Sequence, residues 1–392
     1  LFPESATGPD AAARPALPPA GIAWAVMFSA AVLVSACGQS DSPGFRINLD
    51  GYDPAEVSAA EREAIGETME EFFGTPDVPR VPPGLGLDAE RIAVAAGPVE
   101  GRADGAQHGG YRQQCAVCHG ISGDGAGALA TTFDPYPRDF RLGVFKYTTT
   151  RAGAKPLRSD LRRILLRGIP STGMPSYAQL ADGELAALVE YVVYLSIRGE
   201  TERYLVQRVV DEGEYLPLGA DVKEEVFDEA AVWAAESWAA PEREPEDYAV
   251  VRPPRPEYTP PQLAASIERG KQLYASKNSQ CAQCHGPAGD GDGENDLLYD
   301  DWNKPKVGVT PEETARLARL YRLPAQRLRA RNFREGVFRG GGNPEDLYLR
   351  VYAGIKGTPM PAAGPQAGAG GVLTPEEIWD VVNYVLSLSG RY

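Results

Sequence analysis

The chain has 392 residues, of which 43% are hydrophobic, and it carries a formal net charge of −15 at pH 7. Such an acidic surface disfavours nucleic acid as a partner and is suited to steering toward basic partners. There are five cysteines and three histidines, few enough for each one to be weighed separately.

The first residues are typical of a targeting segment. Residues 21–36 form an uncharged apolar run that is too short for a comfortable membrane span and suits the core of a signal peptide. The run leads into Ala36-Cys37-Gly38, which resembles the processing box of bacterial lipoproteins and implies a lipid on Cys37. An uncleaved membrane anchor is the alternative. Both interpretations of residues 1–37 predict an exported protein that is held at the membrane and faces the periplasm.

Residues 38–100 are expected to form an irregular N-terminal arm. A helical pattern runs from position 53 to position 73, between proline-rich stretches, with apolar positions that include Val57, Ile65 and Met69. We expect this arm to reach from the membrane and to pack on the region that follows it.

A Cys-X-X-Cys-His motif occurs twice, at Cys115, Cys118 and His119 and again at Cys281, Cys284 and His285. In this spacing two thiols can add to the two vinyl groups of one haem, and the adjacent imidazole can bind the iron as its proximal ligand. A zinc ribbon, a thioredoxin-like redox pair and a structural disulfide also use Cys-X-X-Cys. Zinc ribbons place their two pairs within roughly twenty residues, whereas 162 residues separate the pairs here and each is followed directly by histidine. The sequence therefore predicts two covalently bound haem c groups, with His119 and His285 as iron ligands.

Two of the four methionines lie in duplicated loops and are the predicted second ligands of the irons. Met174 and Met360 follow their motifs in segments where Asp, Leu, Gly, Ile, Thr, Met and Pro recur at a fixed offset of 186 residues. A methionine is more often core filler, but a core residue has no need of a duplicated Gly/Pro-rich loop, whereas proline stiffens the backbone beside a ligand. We expect His/Met ligation of both irons, which raises the reduction potential relative to bis-histidine ligation.

A second duplicated segment lies between each histidine and its methionine. Residues 137–146 pair with residues 330–339, and both contain an Arg-X-Phe-Arg run. Arg138 and Arg331 are candidates to bind haem propionates through charge-assisted hydrogen bonds, with a solvated loop charge as the alternative. We expect the shared phenylalanines to pack in the haem pockets.

Both regions resemble class I c-type cytochrome domains, in which a helix leads into the haem motif, a loop carries the methionine and a last helix closes the domain. The resemblance implies an all-α fold with two tandem cytochrome c-like domains at residues 101–200 and 262–392. Closing helices are predicted at residues 182–195 and after a capping box that begins at Thr374. The resemblance also implies that a glycine of the first helix crosses an aromatic of the last, for which the candidates are Gly109 or Gly110 with Tyr191 or Tyr194, and Gly270 with Tyr384.

The segment between the two domains, residues 201–261, is predicted to be an acidic and partly helical linker. Fifteen acidic residues stand against four basic ones from position 200 to position 250. Trp233 and Trp238 suggest a helix that folds back on a domain, followed after Pro241 by an extended connector.

The second domain carries an insertion. Histidine and methionine are 55 residues apart in the first domain and 75 in the second, and the surplus lies between positions 290 and 329. It contains a helix start at Thr310 and, from Arg316 to Arg334, seven arginines. These predict either a solvated amphipathic helix or a docking patch for an acidic partner, and they predict that the two haems are not equivalent.

Together these features predict a di-haem electron-transfer protein that is not an enzyme. The resemblance implies a quinol-oxidising complex and a terminal oxidase or reductase as redox partners, and it is compatible with a place as a subunit of a larger complex. The alternative is an enzyme, a di-haem cytochrome c peroxidase, which needs one iron whose sixth position can open, often with a displaceable histidine. The spare histidine is His108, for which a polar loop residue is the simpler interpretation.

Overall fold

The fold is built mainly from helices. The computed structural model describes residues 43–49, 52–53, 55–97, 108–304, 310, 312–313, 316, 323–366 and 370–390. In chain order the α-helices are α1 (Ala59–Phe73), α2 (Ala89–Ala95), α3 (Gly110–Gln114), α4 (Ala116–His119), α5 (Arg158–Arg167), α6 (Asp182–Val206), α7 (Ala220–Val226), α8 (Trp233–Arg243), α9 (Pro245–Tyr248), α10 (Pro260–Tyr274), α11 (Cys281–His285), α12 (Pro344–Ala353) and α13 (Pro375–Leu388).

Shorter elements connect these helices. The 3-10 turns are Ala130–Thr132, Phe140–Leu142 and Phe333–Glu335, and the π-helical turns are Gln207–Asp211 and Phe227–Val232. Among the described residues, the paired strands are β1 (Leu298–Tyr299) and β2 (Arg327–Leu328), which run antiparallel with Leu298 opposite Leu328. This helix-rich architecture confirms the predicted all-α fold class.

Helix starts follow local capping chemistry. Thr374 Oγ1 accepts a hydrogen bond from Glu377 N at 3.3 Å, and Glu377 Oε2 accepts one from Thr374 N at 2.8 Å. Ser58 and Glu61 start α1 in the same way. Because these side chains satisfy N–H groups that a helix leaves unpaired, the capping box predicted at Thr374 is confirmed. The same chemistry at Ser58 starts α1 at Ala59 rather than at position 53.

The first hydrophobic core is organised around α6. Its buried residues include Tyr191 and Tyr194, whose rings stack with centroids 5.5 Å apart. Helices α1, α2, α3 and α5 pack against α6, and Tyr194 Oη donates a hydrogen bond to the carbonyl of Phe73 at the end of α1. Burial of these aromatic rings is a major stabilising contribution. The N-terminal arm is thus part of this core, and its helices α1 and α2 make it more regular than the sequence predicted.

The acidic segment after α6 folds onto the same core. Trp238 of α8 is 1% exposed and lies edge-to-face on Phe145, with ring centroids 5.8 Å apart, whereas Trp233 is 64% exposed. Pro241 lies inside α8, so extended backbone begins only after α9, later than the sequence suggested.

The second hydrophobic core lies where α10 crosses α13. A Cβ added to Gly270 of α10 would lie 2.0 Å from the carbonyl oxygen of Asp380 and 3.0 Å from Tyr384 Cβ, so the two helices meet at a point where only glycine fits. Tyr274 packs on Tyr384 with ring centroids 5.2 Å apart. The resemblance implied this contact between Gly270 and Tyr384.

The corresponding crossing in the first core uses Gly110. A Cβ added there would lie 3.6 Å from Leu188 Cδ2 of α6, and Tyr111 packs on Tyr191 with ring centroids 4.9 Å apart. Gly109 faces the backbone at the end of α2, at Ala95 and Ala96, instead of α6. Of the two candidate glycines, Gly110 is therefore the one at the helix crossing.

Some of the sequence predictions fall outside the described residues. These are the N-terminal segment with Cys37 and most of the helix after Thr310, of which the structure shows Glu313 N donating to Thr310 Oγ1 at 3.1 Å. Two described arginines of the insertion have acidic neighbours, since Arg316 pairs with Asp53 and Arg327 Nη1 lies 3.9 Å from Asp296 Oδ2, and the docking patch stays a prediction. In the part of the chain that the structure describes, no helix combines the length and the apolar character needed to span a membrane.

Candidate functional site

Each motif histidine is held by a backbone carbonyl of the duplicated arginine segment. His119 Nδ1 lies 3.0 Å from the carbonyl oxygen of Arg138, and His285 Nδ1 lies 3.1 Å from that of Arg331. A carbonyl only accepts, so Nδ1 carries the proton and Nε2 keeps the lone pair that can bind a metal. Burial lowers the pKa of His119 to about 4 and lowers the pKa of His285 as well, which keeps both rings neutral.

The phenylalanine of the same segment stacks on the histidine ring. Phe140 lies on His119 with ring centroids 4.4 Å apart at an angle of 20°, and Phe333 lies on His285 at 4.4 Å and 23°. The duplicated segment therefore positions its histidine through a backbone carbonyl and through an aromatic ring. The packing of the rings agrees with the expectation from the sequence, whereas the carbonyl contact was not predicted.

The turn after each histidine needs a glycine. Gly120 and Gly286 have φ angles of 75° and 76°, in the left-handed region that other residues rarely adopt. Their carbonyls accept hydrogen bonds from Tyr111 Oη at 2.9 Å and from Tyr274 Oη at 2.6 Å. The sequence does not reveal this role of the tyrosines, because Tyr111 stands four residues before its motif and Tyr274 seven residues before its own.

The two methionine loops have the same backbone hydrogen bonds. Ile169 N donates to the carbonyl of Met174 at 3.0 Å, and Ile355 N donates to that of Met360 at 3.1 Å. The amide of each methionine donates at 3.2 Å to the hydroxyl of the threonine two residues earlier. The recurring residues thus encode one loop conformation that is used twice.

A cavity with about 1090 Å³ of empty space, including its open mouth, lies beside the first motif. It is lined by all the site residues predicted for the first domain, namely Cys115, Cys118, His119, Arg138 and Met174. Much of the remaining wall is apolar and comes from α5, α6 and residues 133–147. His108 is not among the lining residues, since it is exposed two residues before α3, where its Nδ1 lies 3.1 Å from Arg112 Nη1.

The residues predicted for the second domain are placed by matching elements. Helix α11 carries Cys281, Cys284 and His285, the segment before the 3-10 turn Phe333–Glu335 carries Arg331, and the second methionine loop carries Met360.

The first cavity fits a haem group. Cys115 and Cys118 are free thiols, so both are available for attachment. His119 and Met174 line the same space and supply the nitrogen and sulfur that a haem iron binds. Arg138 Nη2 is buried, and no atom in the described part of the chain accepts a hydrogen bond from it. A buried guanidinium N–H without a partner suits a carboxylate, and haem carries two propionates.

The family model for cytochrome c matches residues 103–196 and 267–389, together more than half of the chain. The chain belongs to the cytochrome c family. This cytochrome c therefore binds haem c covalently, and its two matched regions correspond to two haems, as the two motifs predict. We refer to residues 103–196 as the first cytochrome region and to residues 267–389 as the second cytochrome region. No curated protein sequence matches the chain.

Among solved structures, this cytochrome c is similar to a chain of the Kuenenia stuttgartiensis reducing HAO-like protein complex, with 24% sequence identity and a TM-score of 0.49. The alignment covers 78% of this chain and 97% of the other. On this comparison the prediction that the protein is not an enzyme is wrong, since the similar chain is part of a complex described as reducing and HAO-like. A likeness of this degree assigns no reaction, substrate or partner to the chain.

Proposed function

We propose that this cytochrome c transfers electrons between redox partners, with one iron held between His119 and Met174 and the other between His285 and Met360. The observation that carries the proposal is the matched geometry of the two sites. The same carbonyl contact orients each histidine, and the same hydrogen bonds hold each methionine loop. Haem c, when bound, supplies an iron that accepts and returns one electron.

The residues around the first cavity serve to hold and shield the group. The Nδ1 contact of His119 prevents rotation of the imidazole, so the ring keeps one nitrogen directed away from the protein backbone. Phe140 stacks on Phe145 with centroids 5.9 Å apart and adds to an apolar wall that excludes water. A thioether ligand and an apolar pocket both favour the reduced iron and raise the potential. Arg138 is placed to balance the charge of a propionate.

The proposed location and partners rest on the N-terminal sequence and on the resemblance to class I cytochromes. The protein is exported, tethered to the membrane through a lipid on Cys37, and faces the periplasm. Its donor is a quinol-oxidising complex and its acceptor a terminal oxidase or reductase, within a larger complex. Cys37→Ser in the full-length protein should move it from the membrane fraction to the soluble fraction, and retention in the membrane would contradict the lipid tether.

Replacement of Met174 or Met360 by alanine tests the ligand assignment. Each variant should lower the midpoint potential of one haem and leave the other near its wild-type value, because the thioether is the ligand that favours the reduced iron. A potentiometric titration followed in the visible spectrum measures both. Met69→Ala is the control, since Met69 is fully buried in α1 and does not line the first cavity. It should lower stability and leave both potentials unchanged. Unchanged potentials in both ligand variants would refute the assignment.

Cyanide and hydrogen peroxide separate this proposal from the peroxidase alternative. Two protein ligands on each iron leave no position for a small ligand, so the spectra of the oxidised and reduced protein should remain nearly unchanged. Rapid turnover of peroxide, or a complete spectral change with cyanide, would show that one iron has an open position.

A further inference from the structure

We propose that Lys146 and Asp300 form a buried charge pair between the two cytochrome regions, through which the second region sets the redox potential of the first haem. The inference rests on the electron-transfer function proposed above. Lys146 belongs to the first cytochrome region, and Asp300 belongs to the insertion of the second.

The contact between the two side chains is direct and shielded from solvent. Lys146 Nζ lies 2.8 Å from Asp300 Oδ2, and the side chains are 16% and 4% exposed. Lys146 lines the first cavity and follows Phe145, which stacks on Phe140, the ring that covers His119. A charge on either partner is therefore near the first site, where water and salt screen it little.

The second region holds the pair in place from both sides. Arg350 of α12 donates a hydrogen bond to the carbonyl of Lys146 at 3.0 Å and another to the carbonyl of Thr148. Next to Asp300, the amide of Asp301 donates to the carbonyl of Gly357 in the second methionine loop at 3.1 Å. The pair thus connects the wall of the first cavity with the loop that carries the predicted ligand of the second iron.

The carboxylate of Asp300 lies among buried cations whose charge it counters. Arg138 lies against Gly357, where an added Cβ would be 3.0 Å from Arg138 Nη1. Burial and the charge of Arg138 lower the pKa of Lys146, Asp300 opposes both effects, and the resulting pKa is about 8. The buried carboxylate of Asp300 counters the charges of Lys146 and Arg138. Removal of one partner of such a pair leaves a buried charge without compensation.

The sign of each effect follows from the charge of the site. The oxidised site carries one more positive charge than the reduced site, so a buried carboxylate lowers the potential and a buried ammonium raises it. Asp300→Asn should therefore raise the midpoint potential of the first haem, and Lys146→Met should lower it. The variant that carries both Asp300→Asn and Lys146→Met replaces an ion pair of zero net charge by two uncharged side chains. The potential of the first haem in this double variant should therefore return close to the wild-type value.

Potentiometric titrations of the full-length holoprotein test the inference. Asp301→Asn is a matched control, because Asp301 adjoins Asp300 but pairs at 3.5 Å with Lys304, and these side chains are 61% and 60% exposed. It should leave the potential unchanged. Asp300→Glu retains the charge and should stay near the wild-type potential even if packing is disturbed. Shifts of both single variants in the same direction, or no shift in either, would overturn the inference.

The experiment also separates this inference from the proposed function. Two reversible one-electron steps in the wild-type protein support the electron-transfer proposal, whatever the variants do. Absence of those steps would contradict the proposed function itself. If the steps are present but the single variants fail to shift in opposite directions, only the charge pair is refuted.

Discussion

Replacement of Gly270 by alanine should force α10 and α13 apart. The new Cβ would lie 2.0 Å from the carbonyl oxygen of Asp380, and real Cβ contacts essentially never fall below 3.0 Å. The obstacle is helix backbone, which cannot rotate away, so the helices must separate by about 1 Å. A gap of about that size forfeits a quarter to a half of the dispersion attraction across the contact. We expect a cost of about 3 kcal/mol from overpacking, offset by about 1 kcal/mol from the better helix propensity of alanine.

The net loss of about 2 kcal/mol should be visible in thermal unfolding of the holoprotein, followed by far-UV circular dichroism. An unfolding entropy of about 2.1 cal/mol/K per residue gives about 1 °C per kcal/mol for a chain of this length, so Gly270→Ala should melt about 2–3 °C below the wild type. Gly66→Ala is the control, because Gly66 lies inside α1 and no described atom comes within 4 Å of an added Cβ. It should melt at or above the wild-type temperature. If Gly270→Ala melts as high as Gly66→Ala, the close crossing is refuted.

Two further predictions concern the methionine loop and the turn after the histidine. Burial lowers the pKa of Lys356 to about 7, and its Nζ donates to Thr150 Oγ1 at 2.7 Å and to the carbonyl of Ala154 at 2.8 Å. In the unfolded chain Lys356 keeps its proton up to about pH 10.5. Between about pH 7 and pH 10.5 the unfolded chain therefore binds more protons than the folded chain. The free energy of unfolding of the wild type should therefore rise from about pH 7 to about pH 10 relative to Lys356→Met, by on the order of a few kcal/mol; parallel pH profiles in chemical unfolding would contradict this. Tyr111→Phe and Tyr274→Phe each leave one backbone carbonyl without its donor and should each cost about 1–2 kcal/mol in the same assay, and unchanged stability in both would show that these hydrogen bonds do not hold the turn.

The sequence predicts those features of the structure in which the chemistry is covalent or short-range. The two haem motifs are visible because two thiols and an imidazole must lie beside one group, and that requirement fixes their spacing. The capping box at Thr374 is visible because helix geometry fixes the distance between its two partners. The carbonyl contacts of Arg138 and Arg331 are invisible in the residue types, because every residue has a carbonyl. The local conformation of the duplicated segment is what brings those oxygens to the histidines.

Long-range packing is a second feature that the sequence does not reveal. A Cβ at Gly199 of α6 would lie 2.3 Å from Arg141 Cβ, so the fold needs a glycine there, but the sequence does not show which helical glycine faces another segment. In the same way, the hydrogen bond from Tyr194 to Phe73 joins residues 121 positions apart. The prediction that the protein is not an enzyme failed for a different reason. It was drawn from the predicted ligands of each iron, and a set of predicted ligands does not determine which reaction a protein carries out.

The two sites have nearly the same immediate contacts, so a difference between their potentials must come from the surroundings. The Nδ1 contacts are 3.0 and 3.1 Å long, and both phenylalanine stacks measure 4.4 Å. Farther out, Asp139 pairs with Arg141 at 2.7 Å in the first region, with side chains 6% and 9% exposed. The second region has Asn332 in place of Asp139, and Arg334 pairs with Asp290, which is 38% exposed. A buried carboxylate acts on its neighbours through a low dielectric, whereas solvent screens an exposed one. We therefore expect the two haems to have different reduction potentials although the same pair of ligands, histidine and methionine, is predicted for both irons. We expect the placement of charged residues to decide the direction of electron flow.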